Sequence, residues 1–256
     1  MIIDGHVHVH PDPKGFGRGF DASLERLIKN IKNSPVNKAV LLPINPQIPN
    51  KFIADACKEY PNELIGFASV DPSQGYNAAE QLKYDIKKYN LKGLKLHPRL
   101  QHFDLSDKLL LPIFKKCETL KIPVVIDAFP GATDDGTSIP YQIGKIAQQF
   151  PNLKIVIAHA GGYKILDALF VAKNNKNIYL DISYSLLYFK SSSVEKDLIF
   201  TIKKLGANRC IYGSDHPEHE LSLTFNQVEK TLKKCHVTES EQVFIFGETI
   251  RPLLGL

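Results

Sequence analysis

The chain opens on I-I-D-G-H-V-H-V-H, residues 2–10, an apolar, β-branched start that runs into a strict alternation of histidine and valine. Alternation with period two marks a β-strand and puts His6 and His8 on one face, with Val7 and Val9 on the other. Two imidazoles on one face at a strand end form a chelating pair, because neutral imidazole suits zinc and similar borderline cations. Taken alone, the spacing fits equally well a strand end on which Asp4, His6 and His8 are polar decoration. Its meaning depends on what the rest of the chain brings to the same place.

Seven further short apolar runs follow, at residues 39–42, 65–70, 93–96, 124–127, 155–158, 178–181 and 210–213; with residues 2–7 they give eight candidate strands. Each precedes a segment of helical period. Residues 21–32 offer an N-capping Asp21 with apolar Leu24, Leu27, Ile28 and Ile31, and Ser106 precedes Leu109, Leu110, Ile113 and Phe114 at core-facing intervals. Eight β-α units could build an open doubly wound sheet, but neither GxGxxG nor GxxxxGK[ST] follows any strand. The reading is therefore an α/β protein with a closed (β/α)8 barrel, one domain over residues 1–256, its bottom closed by the tail at residues 239–256.

At 256 residues and 43% hydrophobic, the chain can bury the core of one such barrel. The formal charge of +5 is spread along the chain, on Lys29, Lys32, Lys83, Lys87, Lys88, Lys203 and Lys204 among others, which reads as solvated helix faces and excludes a nucleic-acid groove. Cys57, Cys117, Cys210 and Cys235 form no ligand spacing, so free thiols in a reducing cytoplasm are expected. No basic segment precedes an apolar one at the start, and no run would span a bilayer, so no membrane partner is expected.

The ends of the later strands carry residues of ligand type. Lys95 and His97 follow strand four in GLKLHP, Asp127 ends strand five in VVIDAFPG, His159 ends strand six in IVIAHAGG, and Asp215 follows strand eight in CIYGSDHP. A barrel collects all these positions at one rim, its C-terminal face, whereas other folds would scatter them. Arg99 and Tyr184 are rim candidates for carboxylate recognition, with loop packing as the alternative, and His216 could close over a substrate.

DGHVHVH, GLKLHP, AHAGG, GSDHP and the closing FGETIRPLLGL together resemble the amidohydrolase-related family, whose members include hydrolases and decarboxylases of small acids. The resemblance covers almost the whole chain. It implies that His6 and His8 bind a divalent metal, that Asp215 is a ligand or base beside a bound water, and that His159 orients that water or polarises substrate. Members usually place a histidine where this chain has Asp127. A carboxylate can still bind a cation, which makes Asp127 the fourth ligand, but Asp also caps turns readily. Lys95 sits near the place where some barrels of the wider superfamily carry a carboxylated lysine. The reading preferred here has Lys95 and His97 contacting an anionic substrate group.

The function that follows is a metal-dependent hydrolase, zinc being the expected ion and manganese the second choice, acting on a small carboxylate-bearing substrate through activated water. The alternative is nonoxidative decarboxylation on the same barrel; an emptied, ligand-binding barrel and a metal-dependent nuclease are further readings. The nuclease would want a glutamate where GLKLHP stands. Residues 11–20, with Gly15, Gly17 and Gly19, are the candidate lid. The resemblance also implies a homodimer, though no apolar run marks the surface that would form it.

Overall fold

The computed structural model describes residues 1–17, 19–131 and 138–256. Eight parallel strands alternate with helices: β1 Ile3–Val7, β2 Lys38–Leu41, β3 Leu64–Gly66, β4 Leu94–Leu96, β5 Val124–Ile126, β6 Ile155–Ile157, β7 Ile178–Asp181 and β8 Cys210–Ile211. β1 to β3 and β4 to β8 each pair in sequence order. The two arcs join through Ala68 N to Gly93 O and Lys95 N to Ala68 O, both 2.8 Å, and through Gly5 N to Tyr212 O at 2.9 Å and His8 N to His216 O at 2.8 Å. The structure is the expected (β/α)8 barrel.

The helices are α1 Leu24–Lys32, α2 Asn50–Glu59, α3 Tyr76–Tyr89, a one-turn α4 Pro98–Gln101, α5 Leu111–Leu120, α6 Ile139–Gln149, α7 Ile165–Asn174, a one-turn α8 Ser185–Tyr188, α9 Ser193–Leu205, α10 Leu221–Lys234, α11 Glu239–Val243 and α12 Arg251–Leu254. Two predicted caps move. Ser23, not Asp21, caps α1 by accepting from Arg26 N, while Asp21 accepts from Ser23 N and fixes the turn before it. Ser106 donates to Asp104; Asp107 caps the 3-10 turn that leads into α5, and Leu109 in that turn faces outward. None of the described helices is long and apolar enough to cross a membrane, and all four cysteines are free.

Strand parity decides which side chains reach the site. Ile3, Val40, Val125, Val156 and Ile211 form an interior cluster, while their neighbours Leu41, Leu94, Val124, Ile155 and Leu180 pack outward against helices. Continued upward, that parity turns Lys95, Asp127 and Asp181 inward. β1 needs a correction of register, because Ile3 and His6 both face in. A bulge between Asp4 and Val7 supplies it, one extra residue sufficing to re-aim a strand. At the bottom, Ile250 and Leu254 of the tail plug the interior cluster, and Gly247 lies so close to the Met1 carbonyl that a Cβ there would stand 2.2 Å from it.

Candidate active site

The imidazoles of β1 are fixed from behind. His6 Nδ1 donates to Asp181 Oδ2 at 2.5 Å and His8 Nδ1 donates to the Leu42 carbonyl at 2.7 Å. A neutral imidazole has one N–H, and both rings spend it on these acceptors, so each Nε2 carries a lone pair. Those two Nε2 atoms face each other at 3.1 Å, and Asp215 Oδ1 stands 3.6 Å from the first and 3.5 Å from the second. Three lone-pair donors converge with no proton among them. The centre of their triangle is about 2 Å from each corner, the length of a bond from zinc to nitrogen or oxygen. The donor set therefore fits a divalent cation, which His6, His8 and Asp215 would hold.

His159 reaches the same place by an irregular route. Val156 and Ala158 face inward on β6, so regular continuation would send residue 159 outward. Instead His159, Ala160, Gly161 and Gly162 all take positive φ, from 48° to 82°. That left-handed stretch turns the ring inward, within 4.8 Å of ligand atoms on His6 and Asp215. Asp215 (φ 60°) and Tyr184 (φ 63°) share the left-handed conformation, which side-chain-bearing residues rarely adopt. Left-handed residues thus stand at the rim ends of β6, β7 and β8.

Asp127 does not join the donor set. Its Oδ2 lies 3.1 Å from His159 Nε2, 3.5 Å from His97 Nε2 and 3.9 Å from Lys95 Nζ, and its Oδ1 accepts from Phe129 N. The expected fourth ligand is instead a buried anion surrounded by nitrogens. Burial opposes its charge, but His97, His159 and Lys95 outweigh burial and hold its pKa well below the carboxylate range. Burial likewise opposes charge on His159, yet the Asp127 hydrogen bond and the carboxylates of Asp215 and Asp181 lift it to about 9. His159 is therefore paired with a carboxylate that favours the charged form of its ring.

A cavity of about 410 Å³ opens above these groups. His8, His97, Asp127, His159 and Asp215 form its floor, Arg99 stands on its wall, and Phe16 and Phe20 of the loop after β1 lie at its mouth. Arg99 has no hydrogen bond or ion pair to any described residue. Phe129 and Tyr184 face each other edge to ring at 5.4 Å and give the cavity an aromatic side. Phe16 also approaches His8 at 6.1 Å, as a lid would; Arg18 of the predicted lid lies outside the described residues.

Two expected substrate contacts are not at the cavity. Lys95 is fully buried beneath His6, its Nζ 3.4 Å from His6 Nε2, and burial lowers its pKa. His216 is also fully buried, while Pro217 takes the place at the rim expected of it. Asp181 and Ser183 went unnoticed in the sequence. Asp181 ends its strand just as Asp127 does, so the rule that found Asp127 would have found it. Ser183 Oγ, 3.2 Å from His6 Nδ1 and 3.1 Å from His159 Nδ1, carries no such signal.

An amidohydrolase family model matches residues 3–256. The chain is 24% identical over 237 residues to the 2-amino-3-carboxymuconate-6-semialdehyde decarboxylase of Dictyostelium discoideum, a match covering 81% of this chain and 65% of that protein. It is thus aligned with less than two thirds of that relative's length. Among solved structures, an uncharacterized TIM-barrel protein from Bordetella bronchiseptica superposes with a TM-score of 0.84 at 20% identity, over 99% of this chain and 98% of that one. A dihydroxybenzoic acid decarboxylase from a Polaromonas species, solved with manganese and the inhibitor 2-nitroresorcinol, superposes with a TM-score of 0.77 at 16% identity, over 100% and 97%.

Proposed function

Because this chain belongs to the amidohydrolase family, we propose that it is a metal-dependent nonoxidative decarboxylase acting on a planar, conjugated carboxylic acid. The observation that carries the reading is the triangle of lone pairs on His6, His8 and Asp215 set beside the His159–Asp127 ion pair. Two of the similar proteins named above are decarboxylases, which supports this reading over the hydrolysis preferred from the sequence. A histidine held toward its charged form by a paired carboxylate is also better suited to give a proton than to take one from water.

The cation, zinc or manganese, would be held by His6, His8 and Asp215 and would supply Lewis acidity toward substrate oxygens. Asp181 and the Leu42 carbonyl orient the two imidazoles. Phe129 and Tyr184 offer an aromatic side for a conjugated ring, favouring edge-to-face or offset contact. Arg99 binds an anionic or hydroxyl substituent remote from the reacting carbon. His159 donates a proton to the carbon that loses its carboxylate: the C–C bond breaks, its electron pair takes the proton, and carbon dioxide leaves. Asp127 holds His159 charged and oriented until water restores the proton. Lys95, behind the floor, balances the carboxylates and does not touch substrate.

The test uses protein reconstituted separately with manganese and zinc, presented with a panel of hydroxybenzoic and unsaturated dicarboxylic acids and, in parallel, with lactones and amides of similar size. Carbon dioxide release abolished by chelation and by His6→Ala is expected. Turnover of the lactone or amide panel alone would return the assignment to hydrolysis.

A further inference from the structure

The end of β7 and the turn after it read Asp181-Ile182-Ser183-Tyr184-Ser185, and the alternate polar residues Asp181, Ser183 and Ser185 are all buried. A buried hydroxyl has to find partners, so the destinations of its bonds say what it is there to hold. Ser183 grips Asp181 through both carboxylate oxygens: its N–H donates to Oδ1 at 2.7 Å and its Oγ donates to Oδ2 at 2.9 Å. With that one proton spent, Ser183 Oγ has only lone pairs left. Two imidazole nitrogens face them, His6 Nδ1 at 3.2 Å and His159 Nδ1 at 3.1 Å. The Ser183 carbonyl, 3.2 Å from the same nitrogen of His159, is an acceptor as well. His159 Nδ1 therefore meets acceptors alone and carries a proton.

That leaves Nε2 of His159, 3.1 Å from Asp127 on the cavity floor, as the nitrogen from which a proton can reach a substrate. His6 keeps its Nδ1 proton on Asp181 in the same way and turns its Nε2 lone pair to the donor set. One serine oxygen thus stands behind both rings, whose centroids are 4.8 Å apart. The fit is close, since a Cβ on Gly213 would come within 2.8 Å of Ser183 Cβ and 2.7 Å of His6 Cβ. Ser185 completes the mounting, its Oγ donating at 2.6 Å to the carbonyl of left-handed His159. We propose that Ser183 is a positioning residue whose hydroxyl fixes the metal-binding ring of His6 and the proton-donating ring of His159 relative to each other, aiming the Nε2 proton at the reacting carbon. That aim rests on the decarboxylation proposed above, whereas the placement of the two Nδ1 protons rests on the hydrogen bonds alone.

Ser183→Ala, reconstituted with manganese and given the acid that the unmodified enzyme turns over, is expected to lose about 10- to 100-fold in kcat, the usual cost of removing a hydrogen-bond partner from behind a working histidine. KM and the retention of metal against chelator should stay close to those of the unmodified enzyme. Residues that act as a unit are not additive, so in a His159→Gln background the same change should cost almost nothing further. Nitrogen-15 NMR of chelated, histidine-labelled protein supplies a readout without turnover: Nδ1 of both His6 and His159 should carry a proton in the unmodified chain, and Ser183→Ala should move the His159 resonances more than those of His6, which Asp181 still holds. An unprotonated Nδ1 on His159, an unchanged kcat in Ser183→Ala, or an equal loss in both backgrounds would each overturn the proposal. Absence of carbon dioxide release from the unmodified enzyme would overturn the reaction and the aim of the Nε2 proton, while the NMR result would still decide the two Nδ1 protons.

Discussion

Asp181 Oδ2 accepts a 2.5 Å hydrogen bond from Nδ1 of His6, joining the last residue of β7 to the histidine of β1 that begins the donor set. The bond fixes which nitrogen of His6 carries the proton, and therefore which carries the lone pair. Asp181→Asn should lower metal affinity by about 10- to 100-fold, the usual cost of losing a carboxylate behind a histidine ligand. Metal content after dialysis against graded chelator would check it; an unchanged retention curve would remove Asp181 from the centre.

In metal-free protein the His159–Asp127 pair makes stability depend on pH. The pKa of His159 is raised from 6.5 to about 9, so its contribution is complete below pH 6.5 and is lost as pH rises through 9. The pKa of Asp127 is depressed, so its contribution is present above its unfolded value near 3.8 and disappears on acidification. The alkaline loss is on the order of 3 kcal/mol. Urea unfolding of the chelated protein between pH 6 and 10 should show this decline, and Asp127→Asn should flatten it.

His159→Gln should lower kcat by about 10² to 10⁴, the range spanned by positioned acids and bases, with metal content unchanged. If metal were lost together with activity, His159 would have to be counted among the ligands.

Arg99→Ala should raise KM about 10-fold or more for substrates with a second anionic group and leave kcat nearly unaltered, the pattern of uniform binding. A substrate lacking that group should hardly notice the change. Equal loss on both would mean that Arg99 shapes the wall of the cavity and does not read charge.

Most of the barrel could be read directly, because β-branched runs and turn residues recur at each unit and all eight strands lie within a few residues of their predicted places. That His6 and His8 share a face was legible for the same reason, as their two-residue spacing survives the bulge between Asp4 and Val7. Asp127 was misjudged because its type fits a ligand, and only distance reveals three nitrogens already around its oxygen. His216 was misjudged because a position at a strand end says nothing about which way the following turn points. The aromatic side of the cavity was invisible for a different reason: Phe129 and Tyr184 leave different strands and meet only in three dimensions.

The bridge between Val7 and His216 closes the first strand against the last, and the lone-pair donors lie on both lips of that seam. His6 and His8 are made before Asp215, which follows only after seven further strands have been made. A nascent chain therefore holds two histidines with no third partner until β8 has docked. The place that would hold an ion is therefore complete only once the barrel has closed.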